Sequence, residues 1–547
     1  MKRKRITDYK KLLISLLIFL VSFSFSYSQG GIDANSYKFI QVLKLVSNYY
    51  VDSTNEGGMI EDAINGMLKQ LDPHSVYIPK KDLQLMNENL QGNFEGIGVQ
   101  FNILHDTLVV IAPLSGGPSE KLGILAGDRI LKIDGENIAG VGLTNEGVYK
   151  RLKGKKGTMV TVSIKRQGMN ELIDFEIIRD KIPIFSRDAA YMVTDKIGYV
   201  KLNRFANSTG KEFEEALVKL KNEGMEDLIL DLKGNGGGFL HMAVSVANQF
   251  FDNNKMMVYT KGDNSRQQNY KSNTNGLLKN GKIIILIDQG SASASEIVAG
   301  AVQDWDRGVI LGRRSFGKGL VQAQYNLMDG SAVRLTTARY YTPTGRLIQK
   351  SYTNGTDEYR MEILYRIGRG ELSNADSIQF PDSLKFKTLI NKRTVYGGGG
   401  IMPDLFVPVD TTFFSDYYVD LIRFGIINRF IYDYVDKNRD EIKNKYSDFD
   451  QFNKKFQIDK KFMTVFLKFA DDEELKRTAE KEVDMKKKTE GLKASEELLK
   501  LQLKALIARD IYDTSEYFEV INPINPDFIL AIEILGNDAL YQKHLNN

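Results

Sequence analysis

No cysteine occurs anywhere in the 547 residues, so disulfides, thiolate nucleophiles and cysteine-ligated zinc are excluded together. Histidine is almost missing as well: only His74, His105, His241 and His544 are present. A multi-histidine metal cluster is therefore not expected; no cofactor or metal is implied, and a histidine base has to be one of these four. A large excess of one charge is also lacking. The net charge is +4, and the first 28 residues carry six basic groups and one acid, which leaves about −1 on the remainder. That balance gives no reason to expect nucleic-acid binding. No repeat of fixed period is present.

What is there begins with a leader. MKRKRITDYKK is basic, Leu12 to Phe25 is apolar, and Ser26-Tyr27-Ser28 supplies small residues at the usual cleavage offsets. Residues 1–28 read as a secretory signal peptide. The alternative is an uncleaved anchor, for which the apolar run is short against a bilayer span of about 20 residues. The protein is expected to be exported to the periplasm, membrane-associated only if the leader is kept.

Residues 33–91 have helical spacing, with apolar Phe39, Val42, Leu43 and Leu45 and then Ile60, Ile64 and Met67. Within them LDPHSVYIP turns at Asp72-Pro73, and His74 reads as a capping or packing residue. Residues 92–181 change to short strands with glycine turns. There GIGV (Gly96, Ile97, Gly98, Val99) opens a strand and can turn backbone amides toward one point, a nest for a terminal carboxylate beside an edge that accepts a peptide strand. In order, GIGV, PSEKLGILAGDRILKIDG and two closing strands resemble a PDZ domain. Residues 185–409 alternate strands and helices, which implies an α/β core with a largely parallel sheet. TPTGRLIQ and YGGGGIMPDLFVP read as its edge loops, and the charged stretch 351–395 as an insertion. Residues 410–547 are rich in lysine and glutamate at helical spacing and read as a helical C-terminal domain. The expected class is thus multidomain α/β: a PDZ domain and an α/β core, with helical segments before and after.

The chemistry gathers between Lys282 and Gln322. Ile283 to Ile287 reads as a buried strand, Asp288-Gln289-Gly290 as a turn, and EIVAGAVQDW as a helix. Ser293 then falls on a strand-to-helix corner, where Ser293 and Glu296 fit a capping box. The cap alone would explain this serine. The same place also aims helix N–H groups at developing negative charge, as a nucleophile needs; Ser291, in the approach loop, and Ser295, inside the first turn, are less well placed. A serine needs a base. Lys318 lies between glycines in SFGKGLVQ, and no acidic residue occurs between Asp306 and Asp329. A desolvated amine there could fall from a pKa of about 10.4 toward neutrality, at about 4 kcal/mol. Otherwise Lys318 is a turn lysine. Gly234-Asn-Gly-Gly-Gly238 closes another strand and can present amides to an oxyanion or be a plain tight turn; no Gly-Lys-Ser/Thr follows it as in a phosphate loop. His241 is the rival base.

These motifs together resemble the C-terminal processing (tail-specific) serine peptidases. The resemblance runs from about 36 to 409 through LDPHSVYIP, GIGV, DLKGNGGG, GSASASEIVAGAVQD, SFGKGLVQ, TTARYYTPTGR and GGGIMPD. It implies Ser293 as nucleophile, Lys318 as base and Gln322 as the residue that orients the lysine. It further implies oxyanion donors at Gly237 and Ala294, with Gly238 as another, and Asp304 as a supporting acid. The implied partners are protein or peptide substrates held by their C-termini on the PDZ domain. Where many members carry an arginine before a PDZ glycine, this chain has Lys153, and it is longer than minimal members beyond 411. Homo-oligomer contacts or adaptor binding through that helical region stay open. Two alternatives remain: a catalytically silent PDZ scaffold, and a hydrolase with His241 as base.

Overall fold

The computed structural model describes residues 34–114, 116–410, 414–475 and 485–546; the leader read at residues 1–28 lies outside them. The chain divides after Leu71 into two units. The first holds helices Ala34–Tyr49 and Glu56–Lys69. Asn55 caps the second of these by accepting from the Gly58 N–H at 3.1 Å. Among its described residues only Leu68 is buried.

In the second unit, strand Val76–Ile78 and helix Lys80–Gln91 precede the region expected to be a PDZ domain. Strands Val99–Leu104, Thr107–Pro113, Arg129–Ile133, Met159–Lys165 and Ile173–Ile178 follow one another across an antiparallel sheet. Its inward residues, among them Leu108, Val110, Ile130, Val162 and Ile164, pack with Val148 of helix Asn145–Leu152. Asn93–Gly96 pairs with Asp180–Pro183, so the chain enters and leaves this domain side by side.

The core is a six-stranded sheet in the order Arg187–Met192, Ile197–Leu202, Asp227–Asp231, Ile283–Ile287, Val309–Gly312, Leu405–Phe406. Its first pair is antiparallel and every later pair parallel. Ile283, Ile285 and Ile287 face helices Thr209–Asn222, Leu240–Asn248 and Ala294–Asp304. Ile284 and Leu286 face Phe528, Ala531, Ile534 and Tyr541 of helices Pro526–Leu535 and Asp538–Asn546. Burial on both faces is why the run IIILI is unbroken rather than alternating.

Strands Leu320–Asn326 and Ala332–Tyr341, within the stretch expected to build the parallel sheet, do not join it. They pair with each other, antiparallel, in a second sheet that also holds Val76–Ile78, Met256–Gly262 and Ser265–Lys271. TPTGRLIQ, read as an edge loop, is irregular but enclosed: Thr342 and Arg346 are buried, and Arg346 pairs with Asp304 at 2.7 Å. The stretch 351–395 contributes helix Thr356–Gly368, which buries Tyr359 and Arg366. Helices from Asp416 to Ile511 form a separate apolar cluster around Phe430, Phe452, Phe466 and Leu503.

Candidate active site

Strands Asp227–Asp231 and Ile283–Ile287 are parallel neighbours, paired from Leu228 with Ile283 to Asp231 with Leu286. Parallel neighbours end at the same sheet edge, so the loops that follow them open over one place. The glycine loop Gly234–Gly238 follows the first strand and the Ser293 corner follows the second. A Cβ on Gly237 would stand 2.7 Å from the Ser293 Cβ and 2.9 Å from the Ala294 nitrogen. With φ at +97° as well, only glycine fits.

The three serines of the corner have different fates. Ser291 Oγ donates to the Leu232 carbonyl and Ser295 Oγ to the Asn235 carbonyl, both at 2.8 Å and both fully buried. They pin the glycine loop to the corner. Ser293 instead opens on a cavity of about 520 Å³. Its backbone sits at φ 55°, ψ −110°, a conformation that costs an L residue about 1–3 kcal/mol and persists only where the surroundings enforce it.

Lys318, Gln322, Gly237, Gly238 and Arg334 line the same cavity. The Lys318 amine donates to Gln322 Oε1 at 3.0 Å. Burial lowers its pKa, the positive charge of Arg334 lowers it further, and Glu296 and Asp72 pull the other way. The carboxylate-free neighbourhood expected from the sequence is thus local only; these two acids come from other elements.

Two side chains tie the backbones of Ser293 and Lys318 together. The Glu296 carboxylate, fully enclosed, accepts from the N–H of Ser293 (2.7 Å), Gly317 (2.7 Å) and Lys318 (2.9 Å) and from Ser315 Oγ (2.5 Å). Burial raises its pKa to about 7 against these four bonds. The Tyr340 hydroxyl is shared between the carbonyls of Lys318 (2.7 Å) and Ser293 (3.1 Å). The capping-box spacing anticipates the Glu296 bond to Ser293 and nothing else in this clamp. Tyr340 and Arg334 carry no local mark in the sequence, because they reach the site from the second sheet.

Other expected residues are placed as follows. The Gly237 N–H donates to Asn235 Oδ1 at 2.9 Å, whereas those of Gly238 and Ala294 have no protein acceptor among the described residues. Asp304 lies at the far end of the helix from Ser293, roughly 16 Å away at about 1.5 Å per residue, enclosed with Arg346 and accepting from the Thr344 N–H at 2.9 Å. The structure does not bring it to the cavity. His241 is exposed on the first turn of its helix, its ring centroid 5.1 Å from that of Phe239, and it does not line the cavity.

Gly96, Ile97, Gly98 and Val99 line a second cavity, of about 680 Å³, whose walls include Phe94, Phe101, Leu114 and Leu152. Lys153 is at its rim and pairs with Glu88 at 2.6 Å. Glu88 belongs to helix Lys80–Gln91, which gives Leu85 to this cavity and Asn87 and Leu90 to the one at Ser293.

Comparison with known proteins places relatives along the chain. Residues 196–357 match the profile of Peptidase family S41, residues 96–177 a PDZ domain, and residues 25–82 the activating protease CtpB N-terminal domain. Residues 417–513 match a family of unknown function. A carboxy-terminal-processing protease of Bartonella bacilliformis is 39% identical over 329 residues, covering 58% of this chain and 74% of the relative. Among solved structures, a photosystem II D1 C-terminal processing protease is 28% identical, with a TM-score of 0.33, covering 57% of this chain and 90% of that one. A PDZ domain of a carboxy-terminal protease from Vibrio cholerae in complex with peptide is 28% identical, with a TM-score of 0.16, over 16% of this chain and 97% of that domain.

Proposed function

Since this chain belongs to the carboxy-terminal-processing proteases of peptidase family S41 and carries a PDZ domain, we propose that it is an exported serine endopeptidase that holds substrates by their C-terminal tails and cleaves near them with Ser293 and Lys318. The observation that carries this reading is the state of Lys318. Its amine is desolvated, is held by Gln322, and shares a cavity with Ser293, to whose backbone Glu296 and Tyr340 join it.

In this reading neutral Lys318 takes the proton of Ser293 Oγ as the oxygen attacks a scissile carbonyl. The oxyanion forms against the N–H groups of Gly238 and Ala294, at the positive end of helix Ala294–Asp304. Protonated Lys318 then donates to the leaving amine, and water reverses the sequence to release the acyl group. The apolar walls of the cavity beside Gly96–Val99 support a tail with an apolar last residue, its carboxylate meeting the glycine-rich turn. Export is supported by the basic and apolar leader.

The test is cleavage of an unfolded protein with its tail free or blocked as an amide, by the wild-type chain, Ser293→Ala, Lys318→Met and His241→Ala. Cleavage is expected only with the free tail, from the wild type and His241→Ala. Turnover by Ser293→Ala or Lys318→Met would refute the dyad, and equal cleavage of the blocked tail would refute tail recognition.

A further inference from the structure

His74 lies where three elements meet. Its turn is closed by Asp72, whose Oδ1 accepts from the N–H of His74 (2.8 Å) and Ser75 (3.0 Å), and whose Oδ2 accepts from Ser75 Oγ (2.6 Å). Thr336 of the second sheet fastens the turn, donating from Oγ1 to Asp72 Oδ1 at 3.0 Å and from its N–H to Ser75 Oγ at 3.1 Å. Two further hydrogen bonds involve His74. Its carbonyl accepts from Gln322 Nε2, and its ring Nε2 meets the Tyr359 hydroxyl at 2.8 Å.

The direction of each bond follows from its ends. A carbonyl has only lone pairs, so His74 selects the Nε2 side of the Gln322 amide and leaves Oε1 for Lys318. At the other end Gln349 Nε2 donates to the Tyr359 oxygen at 3.5 Å, and the Lys350 ammonium lies 4.2 Å from the ring centroid. The Tyr359 proton is then directed to His74 Nε2, which is the acceptor of a neutral imidazole. Burial, with Lys318 and Lys350 nearby, lowers the His74 pKa to about 4 against the pull of Asp72. Tyr359 is only 4% exposed, and it stands on helix Thr356–Gly368, just past the last residue that the peptidase profile matches.

We propose that Tyr359 and His74 are positioning residues for the base: they hold the Gln322 amide in the one orientation that leaves the Lys318 lone pair free for Ser293. This rests on Lys318 being the base. A neutral amine has two N–H donors and one lone pair. With Gln322 Oε1 toward it, an N–H is taken and the lone pair is left. With the amide reversed, Nε2 donates into the lone pair, which stabilises the neutral amine and blocks it. Loss of the positioning chain therefore has a signature, a lower plateau of kcat with the rising limb moved to lower pH. Simple loosening does the opposite, since water reaching Lys318 returns its pKa toward 10.4 and moves the limb up. The charged groups that face Lys318 are Arg334 from the second sheet, Glu296 from the helix and Asp72 from the turn. They are untouched by changes at Tyr359 or His74, and His74 is neutral throughout the limb.

The experiment measures kcat and KM against pH on an internally quenched peptide with a free apolar C-terminus, for the full chain, Tyr359→Phe, His74→Phe and the double variant. Each is expected to lose about tenfold in kcat with KM within about twofold, and to move the limb to lower pH. The double variant is expected to be no worse than either single one, because all three break one hydrogen bond. His74→Gln, which restores an acceptor for Tyr359, is expected to recover most of the plateau. An unchanged profile, a limb moved to higher pH or additive losses would overturn the proposal. Lys318→Met separates the two claims. Full turnover there removes the base and this proposal with it, whereas an inactive Lys318→Met beside an unshifted Tyr359→Phe removes the positioning role alone.

Discussion

Lys318 is a residue whose placement costs stability. Its amine is half-buried at the cavity wall, and that burial, with the positive charge of Arg334, lowers its pKa. A lysine with a folded-state pKa below that of the unfolded chain binds its proton more weakly when folded, so it destabilises the fold at low and neutral pH. The penalty fades as pH rises from the folded pKa toward 10.4, where neither state is charged. Lys318→Met is thus expected to raise the thermal midpoint at pH 7 while abolishing turnover, with a gain that shrinks above the folded pKa. Calorimetry of both proteins across pH 6 to 10 checks this; a lower midpoint for the variant at pH 7 would contradict it. The strained backbone of Ser293 belongs to the same trade, since the bonds from Glu296 and Tyr340 hold it in place.

At the scale of elements, the site is made by two loops that share one sheet edge. Their closeness depends on Gly237, where an added methyl would meet the Ala292 carbonyl at 2.7 Å and the Ser293 Cβ at 2.7 Å. Both neighbours are fixed to the corner and cannot swing aside as a long side chain would. Gly237→Ala is therefore expected to push the loop off the corner and lower kcat/KM by about a hundredfold or more, the scale of losing an oxyanion donor. The parallel sheet below is expected to stay intact, so the far-ultraviolet circular dichroism should not change. A variant with wild-type kcat/KM would show that the loop is not part of the machinery.

Across the whole molecule, the end of the chain completes the peptidase core. Helix Pro526–Leu535 covers the second face of the parallel sheet with Phe528, Ala531 and Ile534. It also supplies Asp527, which pairs with Lys233 at 2.6 Å in a largely enclosed setting. Lys233 directly precedes the glycine loop, so this ion pair anchors the loop from below. The pair keeps Lys233 charged, Asp231 and Asp527 raising its pKa against burial. Asp527→Ala removes the acceptor of that ammonium and leaves only the more general attraction of Asp231, and is expected to cost about 1–3 kcal/mol, seen as a lower thermal midpoint together with reduced turnover. An unchanged midpoint would mean that the helix holds through apolar contact alone. Elsewhere the helical cluster reaches the PDZ domain, where Arg129 pairs with Asp436; the same C-terminal part of the chain thus touches both the peptidase core and the PDZ domain.

Local patterns in the chain are enough to specify the strand Ile283–Ile287, the Ser293 corner, the glycine loop and the order of the modules. Each of these is set by neighbours in the chain: a continuous apolar run, turn residues, an N-cap serine with a glutamate three residues on. Tertiary structure alone decided what surrounds Lys318. Asp72 and His74 come from about 245 residues upstream of Lys318, and Glu296, Arg334 and Tyr359 from three other elements, so no local period or spacing encodes their meeting. It also decided that Asp304 stands a helix length from Ser293 and that the last helices cover the sheet. A pattern in the chain can say which face of an element is apolar, but which element covers that face, and which polar groups are thereby enclosed together, is settled only when the layers pack.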